Sequence, residues 1–203
     1  MHCISNPLPV METFYSIQGE GYYQGHAAFF IRLAGCDVGC VWCDVKESWD
    51  ANQHPMQHIE NLVEQVKATK AEIVIVTGGE PLMYDCSQLT TALQANGYRT
   101  HLETSGAYPI SGNWDWICVS PKKFKAPLHE VMQLANELKM VMYHSSDFQW
   151  AKQQAEFVSE NCLLFLQPEW SKEKQMLPAI TQFIQENPHW KLSLQIHKYL
   201  GVR

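Results

Sequence analysis

The chain has 203 residues, of which 46% are hydrophobic and 18% charged, and its net charge is −6. This composition predicts one folded domain over residues 1–203 and excludes a disordered chain, and the negative charge disfavours nucleic-acid binding, so a small-molecule partner is expected. The chain does not open on a basic segment followed by an apolar one, and no apolar run approaches about 18 residues, so we expect a cytoplasmic protein without a membrane span.

Short β-rich runs alternate with segments of helical period along the chain. Seven strands are predicted, at 28–34, 72–77, 99–104, 114–120, 139–144, 162–167 and 190–196. Apolar stripes predict helices between strands, at Ile59, Leu62, Val63 and Val66, at Leu89 and Leu93 before Gly97, and at Val131, Leu134, Ala135 and Leu138. This alternation indicates an α/β fold with mainly parallel strands, arranged as a shortened, partly open (β/α) barrel.

Unusual polar segments come directly after most of the predicted strands. GCDVGCVWCD follows the first strand, GGEP the second, SG the third, PKK the fourth and QPEW the sixth. Because the carboxyl ends of parallel strands lie on one edge of a sheet or barrel, we expect these segments to meet in one cavity.

Three cysteines, Cys36, Cys40 and Cys43, fall within the first of these polar segments. The chain has seven cysteines and no secretory signal, which argues against disulfides and leaves the thiols available as ligands. Three clustered thiolates leave one iron of a four-iron cluster open to a small molecule. Structural zinc would need a distant fourth ligand such as Cys86, and it remains an alternative, as do unliganded core cysteines. The other thiols are expected in the core or at the surface: Cys3, Cys86, Cys118 and Cys162.

The spacing Cys-x3-Cys-x-aromatic-Cys, with Trp42 as the aromatic residue, resembles the signature of the radical S-adenosylmethionine (radical SAM) superfamily. The resemblance implies a [4Fe–4S] cluster on the three cysteines, whose open iron binds the amino and carboxylate groups of S-adenosylmethionine. One electron, from a donor such as flavodoxin or ferredoxin, then cleaves the sulfonium and releases a 5'-deoxyadenosyl radical. The protein supplies orientation and excludes water.

The same resemblance assigns further residues to the cofactor. Gly78, Gly79 and Glu80 form the GGEP segment that binds the methionine amino group, although taken alone the segment is typical of a plain turn. Ser120, Lys122 and Gln167 resemble the positions that hold the ribose, carboxylate and adenine edges, with a merely solvated lysine as the alternative for Lys122. Gly106 is expected to approach the adenosine through its backbone.

Three segments outside the signature resemble the 7-carboxy-7-deazaguanine synthases: TFYSIQGEGYYQGHAAFFIRLAGC, LETSG and LSLQIHKYLG. The similarity runs along essentially the whole chain. It implies contraction of the ring of 6-carboxy-5,6,7,8-tetrahydropterin to 7-carboxy-7-deazaguanine with loss of ammonia, a carbon–nitrogen lyase step towards queuosine and related deazapurines. By the resemblance, the adenosyl radical takes the hydrogen from carbon 6 of the pterin and later returns it.

Substrate-binding residues follow from this resemblance: Ile17, Gln18, Gly19, Glu20, Arg32, Thr104, His197 and Arg203. A substrate carboxylate requires a cation, and Arg32 lies in an otherwise apolar run, so we expect its guanidinium to face the barrel interior, with a structural ion pair as the alternative. The segment from Gln18 to Glu20 could instead be a plain turn.

The end of the chain supplies the remaining predicted contacts. Gln195 and His197 alternate with the apolar Ile196, so both are expected on the face opposite Ile196. The terminal carboxylate of Arg203 is expected to reach the substrate, and the Thr104 hydroxyl is expected to point into the cavity.

One position departs from the family pattern. Val45 stands where relatives typically carry Thr or Ser to help hold magnesium, and valine offers no oxygen ligand. Magnesium therefore binds through other groups near Asp44 and Lys46, is replaced, or is not needed. The short segment 46–70 predicts a trimmed barrel, whose exposed apolar sides predict a homodimer.

Two other functions are kept as alternatives. A glycyl-radical activase acting on a partner protein would share the cysteine signature. A non-enzymatic iron–sulfur electron carrier would ordinarily ligate every iron with cysteine.

Overall fold

The computed structural model describes residues 6–203, so Cys3 lies outside the described residues. Within this range, nine strands form a single sheet: β1 (Leu8–Ile17), β2 (Ala27–Leu33), β3 (Met56–Gln57), β4 (Ile73–Gly78), β5 (Arg99–Thr104), β6 (Trp116–Val119), β7 (Glu137–Met142), β8 (Leu163–Pro168) and β9 (Trp190–Leu192). The α-helices are α1 (Ile59–Lys67), α2 (Ser87–Ala95), α3 (His129–Gln133), α4 (Asp147–Ala155), α5 (Glu173–Glu186) and α6 (Ile196–Leu200).

The strand order is β3-β1-β2-β4-β5-β6-β7-β8-β9. Neighbours from β2 to β9 pair in parallel, whereas β1 pairs antiparallel with both β2 and β3. In the described chain the sheet therefore has open edges at β3 and β9. The predicted mainly parallel, partly open architecture is confirmed.

Alternation along the strands sorts side chains between the two faces of the sheet. In β2, Phe29 and Ile31 pack with the helices α1 and α2, while Phe30 and Arg32 point to the opposite face. In β7, the apolar Leu138, Met140 and Met142 join the helical core, and Glu137 and Lys139 lie on the other face. The charged side chains of these two strands therefore lie on the face of the sheet opposite the helices.

All seven predicted strands are present, with ends shifted by a few residues. β1 and β3 were not predicted. The later residues of β1 are only half-buried and show no clear alternation, and β3 has just two residues. The predicted helix stripe at 131–138 is wrong in its second half, since α3 ends at Gln133, Leu134 is exposed and Leu138 belongs to β7. The strand predicted to extend to 196 ends at Leu192, and Ile196–Leu200 form helix α6.

Cys86, Cys118 and Cys162 are buried, as expected of core thiols. The segment 46–70 holds two short 3-10 turns, β3 and α1, in agreement with the predicted trimmed barrel. Among the described residues, none of the helices combines the length and apolarity needed to span a membrane.

Candidate active site

A cavity of about 280 Å³ opens where the carboxyl ends of the strands meet. The predicted cofactor and substrate residues all line it, except Gly106. We call the part formed by residues 36–45, 77–80, 120–122 and 167 the cysteine side. The part formed by residues 17–20, 32, 103, 139, 195–198 and 203 is called the charged side.

The cysteine loop follows β2 and is folded back against the 3-10 turn at Lys46–Trp49. Gly35 has φ +97°, and a Cβ there would lie 2.2 Å from the Tyr84 hydroxyl, so the turn into the loop requires glycine. The Gly35 N–H donates to Ser48 O at 2.6 Å and the Cys36 N–H donates to Trp49 O at 3.2 Å. These bonds fix the backbone from which the thiols project.

Cys36, Cys40 and Cys43 all line the cavity. Burial raises the pKa of Cys36 and that of Cys40, the latter to about 11, and the neighbouring thiols add to both shifts. Over residues 6–203, no three His, Cys, Asp or Glu side chains converge as around a single metal ion. An iron–sulfur cluster does not require such convergence, because each thiolate binds a different iron. The three cavity-lining thiols are therefore compatible with an iron–sulfur cluster.

The GGEP segment joins the loops after β2, β4 and β5. A Cβ on Gly79 would lie 2.2 Å from Gly35 O, so the two loops touch backbone to backbone. The buried Glu80 carboxylate accepts from the Thr104 hydroxyl at 2.5 Å, from Ser105 N–H at 2.8 Å and from the Ser105 hydroxyl. Thr104 lines the cavity as predicted, but its hydroxyl donates a hydrogen bond to Glu80 and not towards the cavity.

Trp42, Ser120 and Lys122 come together on the cysteine side. The Lys122 ammonium donates to Ser120 O at 2.5 Å and to Ser120 Oγ at 2.7 Å, and it lies 5.7 Å from the centre of the Trp42 ring. Burial lowers the pKa of Lys122. Lys122 is thus a partly buried residue that lines the cavity. The alternative of a lysine that is merely solvated at the surface is wrong.

Gly106 lies behind the cavity wall. Its N–H donates to Thr104 Oγ1 at 3.0 Å and its carbonyl accepts from Leu128 N–H at 2.8 Å. A Cβ there would meet Val119 at 3.0 Å and Pro127 at 3.2 Å. The structure therefore places Gly106 in the packing beneath β5 and not among the lining residues.

A buried lysine organises the charged side. Lys139 projects from β7 and forms ion pairs with Glu20 and, at 3.7 Å, with Glu103. Glu103 also accepts from Gln18 Nε2 at 2.7 Å and from the Thr77 hydroxyl at 3.1 Å. Sequence reasoning missed Lys139, although a lysine within the apolar run of β7 carries the same signal that marked Arg32.

Burial and ion pairing shift the pKa values of Glu20 and Lys139 in opposite directions. Burial alone would raise the pKa of Glu20, but the charge of Lys139 and hydrogen bonds from Lys139 and Gln195 lower it. Burial alone would lower the pKa of Lys139, but Glu103 and Glu20 raise it well above its usual value. The pair is therefore charged at neutral pH.

Arg32 forms an ion pair with Glu12, and a structural ion pair was the alternative to substrate binding for this residue. Its Nε donates to Glu12 Oε1 at 2.9 Å, and Arg203 Nη1 donates to Glu12 Oε2 at 2.9 Å. Both arginines also line the cavity, as predicted. Ser16 Oγ donates to the carbonyl oxygen of Arg203 at 2.6 Å, so the last residue is tied to β1. Glu12 was missed because β1 was missed.

The segment after β9 lies directly against the loop at 17–20. Ile196 N–H donates to Gly19 O at 3.0 Å, and a Cβ on Gly19 would lie 2.0 Å from His197 Nδ1. Burial lowers the pKa of His197, which lines the cavity. His197 therefore faces the cavity, and its predicted contact with the substrate stays a prediction. The strand alternation from which that contact was predicted is wrong, because His197 lies in α6.

Val45 lines the cavity where the cysteine side meets the charged side. The neighbouring Asp44 carboxylate accepts from Lys198 Nζ at 3.0 Å. Magnesium requires several oxygen ligands in near-octahedral geometry. A valine and a carboxylate already paired with an ammonium do not fit that requirement.

Comparisons with known proteins agree with this geometry. The family model described as the radical SAM superfamily matches residues 30–136. The chain is 54% identical to a 7-carboxy-7-deazaguanine synthase of Flavobacterium psychrophilum, over 96% of this chain and 92% of that protein. It is 50% identical to one of a Synechocystis species, over 96% and 93%. The crystal structure of QueE from Escherichia coli superposes with a TM-score of 0.81 at 30% identity, covering 94% of this chain and 93% of that one.

Proposed function

The chain belongs to the 7-carboxy-7-deazaguanine synthase family of the radical SAM superfamily, and we propose that it contracts 6-carboxy-5,6,7,8-tetrahydropterin to 7-carboxy-7-deazaguanine with loss of ammonia. The observation that carries the proposal is that the cysteine loop and the charged side face one cavity. A radical enzyme with a small charged substrate requires both. An activase of a partner protein has no use for the charged side, and an electron carrier ordinarily ligates every iron with cysteine, so neither alternative is favoured.

On the cysteine side, Cys36, Cys40 and Cys43 would hold the cluster, which leaves one iron open for S-adenosylmethionine. When bound, the cluster and S-adenosylmethionine supply the radical that starts the reaction. Gly78 and Gly79 let the backbone approach the methionine moiety, and Glu80 fixes that backbone through its bonds to the β5 loop. Apolar lining residues such as Val38 limit access of water.

On the charged side, the proposed roles follow from the charge of each group. Arg32 would bind the substrate carboxylate through the guanidinium nitrogens that Glu12 leaves free, since Glu12 accepts from Nε. Glu20, kept ionised by Lys139, presents carboxylate oxygens that accept from the N–H edge of a pterin. His197 and Arg203 would close the same side.

Several finer statements belong to the same proposal. The reaction is a carbon–nitrogen lyase step, the electron comes from a flavodoxin or ferredoxin, and the enzyme acts in the cytoplasm. The exposed Tyr199 and Leu200 of α6, together with the exposed Trp170 whose ring contacts Tyr199, support a homodimer, which light scattering after size-exclusion chromatography would test. No step is assigned to magnesium, because Val45 and the paired Asp44 do not suit it.

The test is anaerobic reconstitution with iron and sulfide, followed by incubation with S-adenosylmethionine, a reductant and the carboxytetrahydropterin. We expect mass spectrometry to find 7-carboxy-7-deazaguanine. The matched control is a Cys40→Ala variant carried through the same reconstitution, which should give none. Cleavage of S-adenosylmethionine without product would overturn the substrate assignment and favour the activase.

A further inference from the structure

A serine that the proposed roles do not use connects the two sides of the cavity. Ser193 follows β9 and is fully buried. Its hydroxyl oxygen accepts from the Gly21 N–H at 2.9 Å and donates to Gln167 Oε1 at 2.7 Å. Gly21 lies in the connection between β1 and β2, directly after Glu20 of the charged side, whereas Gln167 is the second-last residue of β8 and lies on the cysteine side.

The two bonds have different directions. A backbone N–H can only donate, so the Ser193 oxygen accepts from Gly21 and its own proton remains available for another acceptor. In the structure that proton goes to the Gln167 amide oxygen, since an amide nitrogen does not accept. With the oxygen held by Ser193, the nitrogen of this cavity-lining side chain is the end left for a ligand.

The donor that starts this chain of bonds is itself held in place. Gly21 has φ +65°, and a Cβ there would lie 2.0 Å from Glu137 Oε1. The next residue, Tyr22, donates its N–H to Glu137 Oε2 at 3.1 Å. The loop is therefore packed onto a buried carboxylate from one direction and bonded to Ser193 from the other, which leaves the Gly21 N–H one orientation.

We propose that Ser193 is a positioning residue that holds the Gln167 amide with its nitrogen towards the cavity, and so ties a ligand contact on the cysteine side to the loop on the charged side. This inference rests on the proposed function, under which the Gln167 amide nitrogen donates to a ring nitrogen of the adenine of S-adenosylmethionine. Without Ser193 the amide can turn over, because its oxygen and nitrogen ends have nearly the same shape.

The first test measures binding of S-adenosylhomocysteine to the cluster-reconstituted enzyme by calorimetry. Ser193→Ala should lower the affinity by about 10-fold, the effect of roughly one hydrogen bond, with unchanged iron content. Ser111→Ala is the matched control, since Ser111 also accepts a backbone N–H, from Cys86 at 3.1 Å, and donates to a carbonyl, Tyr84 O at 2.9 Å, away from the cavity lining. The control should bind as the unaltered enzyme does.

A double-variant cycle separates positioning from general packing. Gln167→Met removes the amide that Ser193 is proposed to orient, so adding Ser193→Ala in that background should cost no further affinity. A serine with a merely structural role would lower the affinity by the same factor in both backgrounds, and that result would overturn the proposal.

A second readout does not depend on any ligand. In protein labelled with ¹⁵N-glutamine, the Gln167 side-chain amide is identified by its loss in Gln167→Met. Its resonances should shift in Ser193→Ala and stay in place in Ser111→Ala. Unmoved resonances would overturn the proposal even if the enzyme makes product, whereas shifted resonances in an enzyme that makes no product would count against the proposed function alone.

Discussion

The cysteine side of the cavity is built largely from two short loops, 36–43 and 78–80, each of which follows directly on its own strand. The charged side instead joins side chains from β1, β2, β5, β7 and the last helix. Lys139 and Glu20 are 119 positions apart in the chain, and Arg203 and Glu12 are 191 apart. The first region is therefore set by local sequence, and the second exists only once the whole sheet has formed.

The largest effect is expected from a substitution on the cysteine side. Cys40→Ala removes one of three proposed iron ligands that no neighbouring group can replace, so cluster content and product should both fall to background. Cys86→Ala is the matched control, because Cys86 is a buried thiol outside the loop. Iron and sulfide assays together with the product assay check both variants. Loss of the cluster in the Cys86 variant would instead support a metal site in which Cys86 is the distant fourth ligand.

The next effect breaks the charged side. Lys139→Met keeps the length of the side chain and removes its charge, which leaves Glu20 and Glu103 against each other without a cation. Removing one partner of a buried pair typically costs about 3–5 kcal/mol, so urea denaturation should show a large loss of stability and turnover should fail. Lys67→Met, in an exposed pair with Glu64, should cost no more than about 1 kcal/mol. Equal losses in the two variants would contradict a special role for Lys139.

The pH dependence of stability sharpens the same comparison. Because the folded state lowers the pKa of Glu20, its pairing stabilises the protein above the ordinary glutamate pKa, about 4.3, and this contribution is lost as pH falls through the lowered pKa. In Lys139→Met the strongest group that lowers this pKa is gone and only the hydrogen bond from Gln195 and the charge of His197 still oppose burial. The pKa of Glu20 should therefore rise, so acidification reduces the cost of the mutation. The gap in unfolding free energy between the two proteins should therefore narrow from about pH 7 to pH 5. A constant gap would show that Lys139 acts through packing alone.

A smaller effect is expected at the arginine. Arg32→Ala should lower kcat/KM for the pterin by about 10- to 100-fold, the equivalent of one charged hydrogen bond of about 1.5–3 kcal/mol. The cluster content should not change, because Glu12 keeps Arg203 as a partner. Arg99→Ala, at the exposed start of β5, is the control. Loss of the cluster or of folding in the Arg32 variant would mean that the ion pair with Glu12 is only structural.

The smallest effect concerns the residue where the two sides meet. Val45→Thr has almost the same shape and adds one oxygen to the cavity wall. Activity of the unaltered enzyme should be indifferent to magnesium, whereas the threonine variant should gain a few-fold when magnesium is added. Val45→Ala, which adds no oxygen, controls for altered packing. A strong magnesium requirement in the unaltered enzyme would show that other groups supply the ligands.

The sequence by itself determined the parallel α/β architecture, the meeting of the strand-end loops and nearly every residue of the cysteine side. It could do so because Cys36, Cys40 and Cys43, like Gly78 to Glu80, lie within a few residues of one another in the chain. It also named Arg32, Glu20 and His197, though it gave the wrong local structure for His197 and placed Gly106 at the cavity.

Only the tertiary structure decided which partners those charged groups have. A lysine or arginine in an apolar strand signals a buried cation, but the sequence does not say which carboxylate meets it. Strand order and register placed Glu12 beside Arg32 and set Lys139 between Glu20 and Glu103. The bond from Ser193 to Gln167 needs β8 and β9 side by side as well. A buried charge is stabilised by contacts made across the sheet, and these contacts do not exist until it has folded.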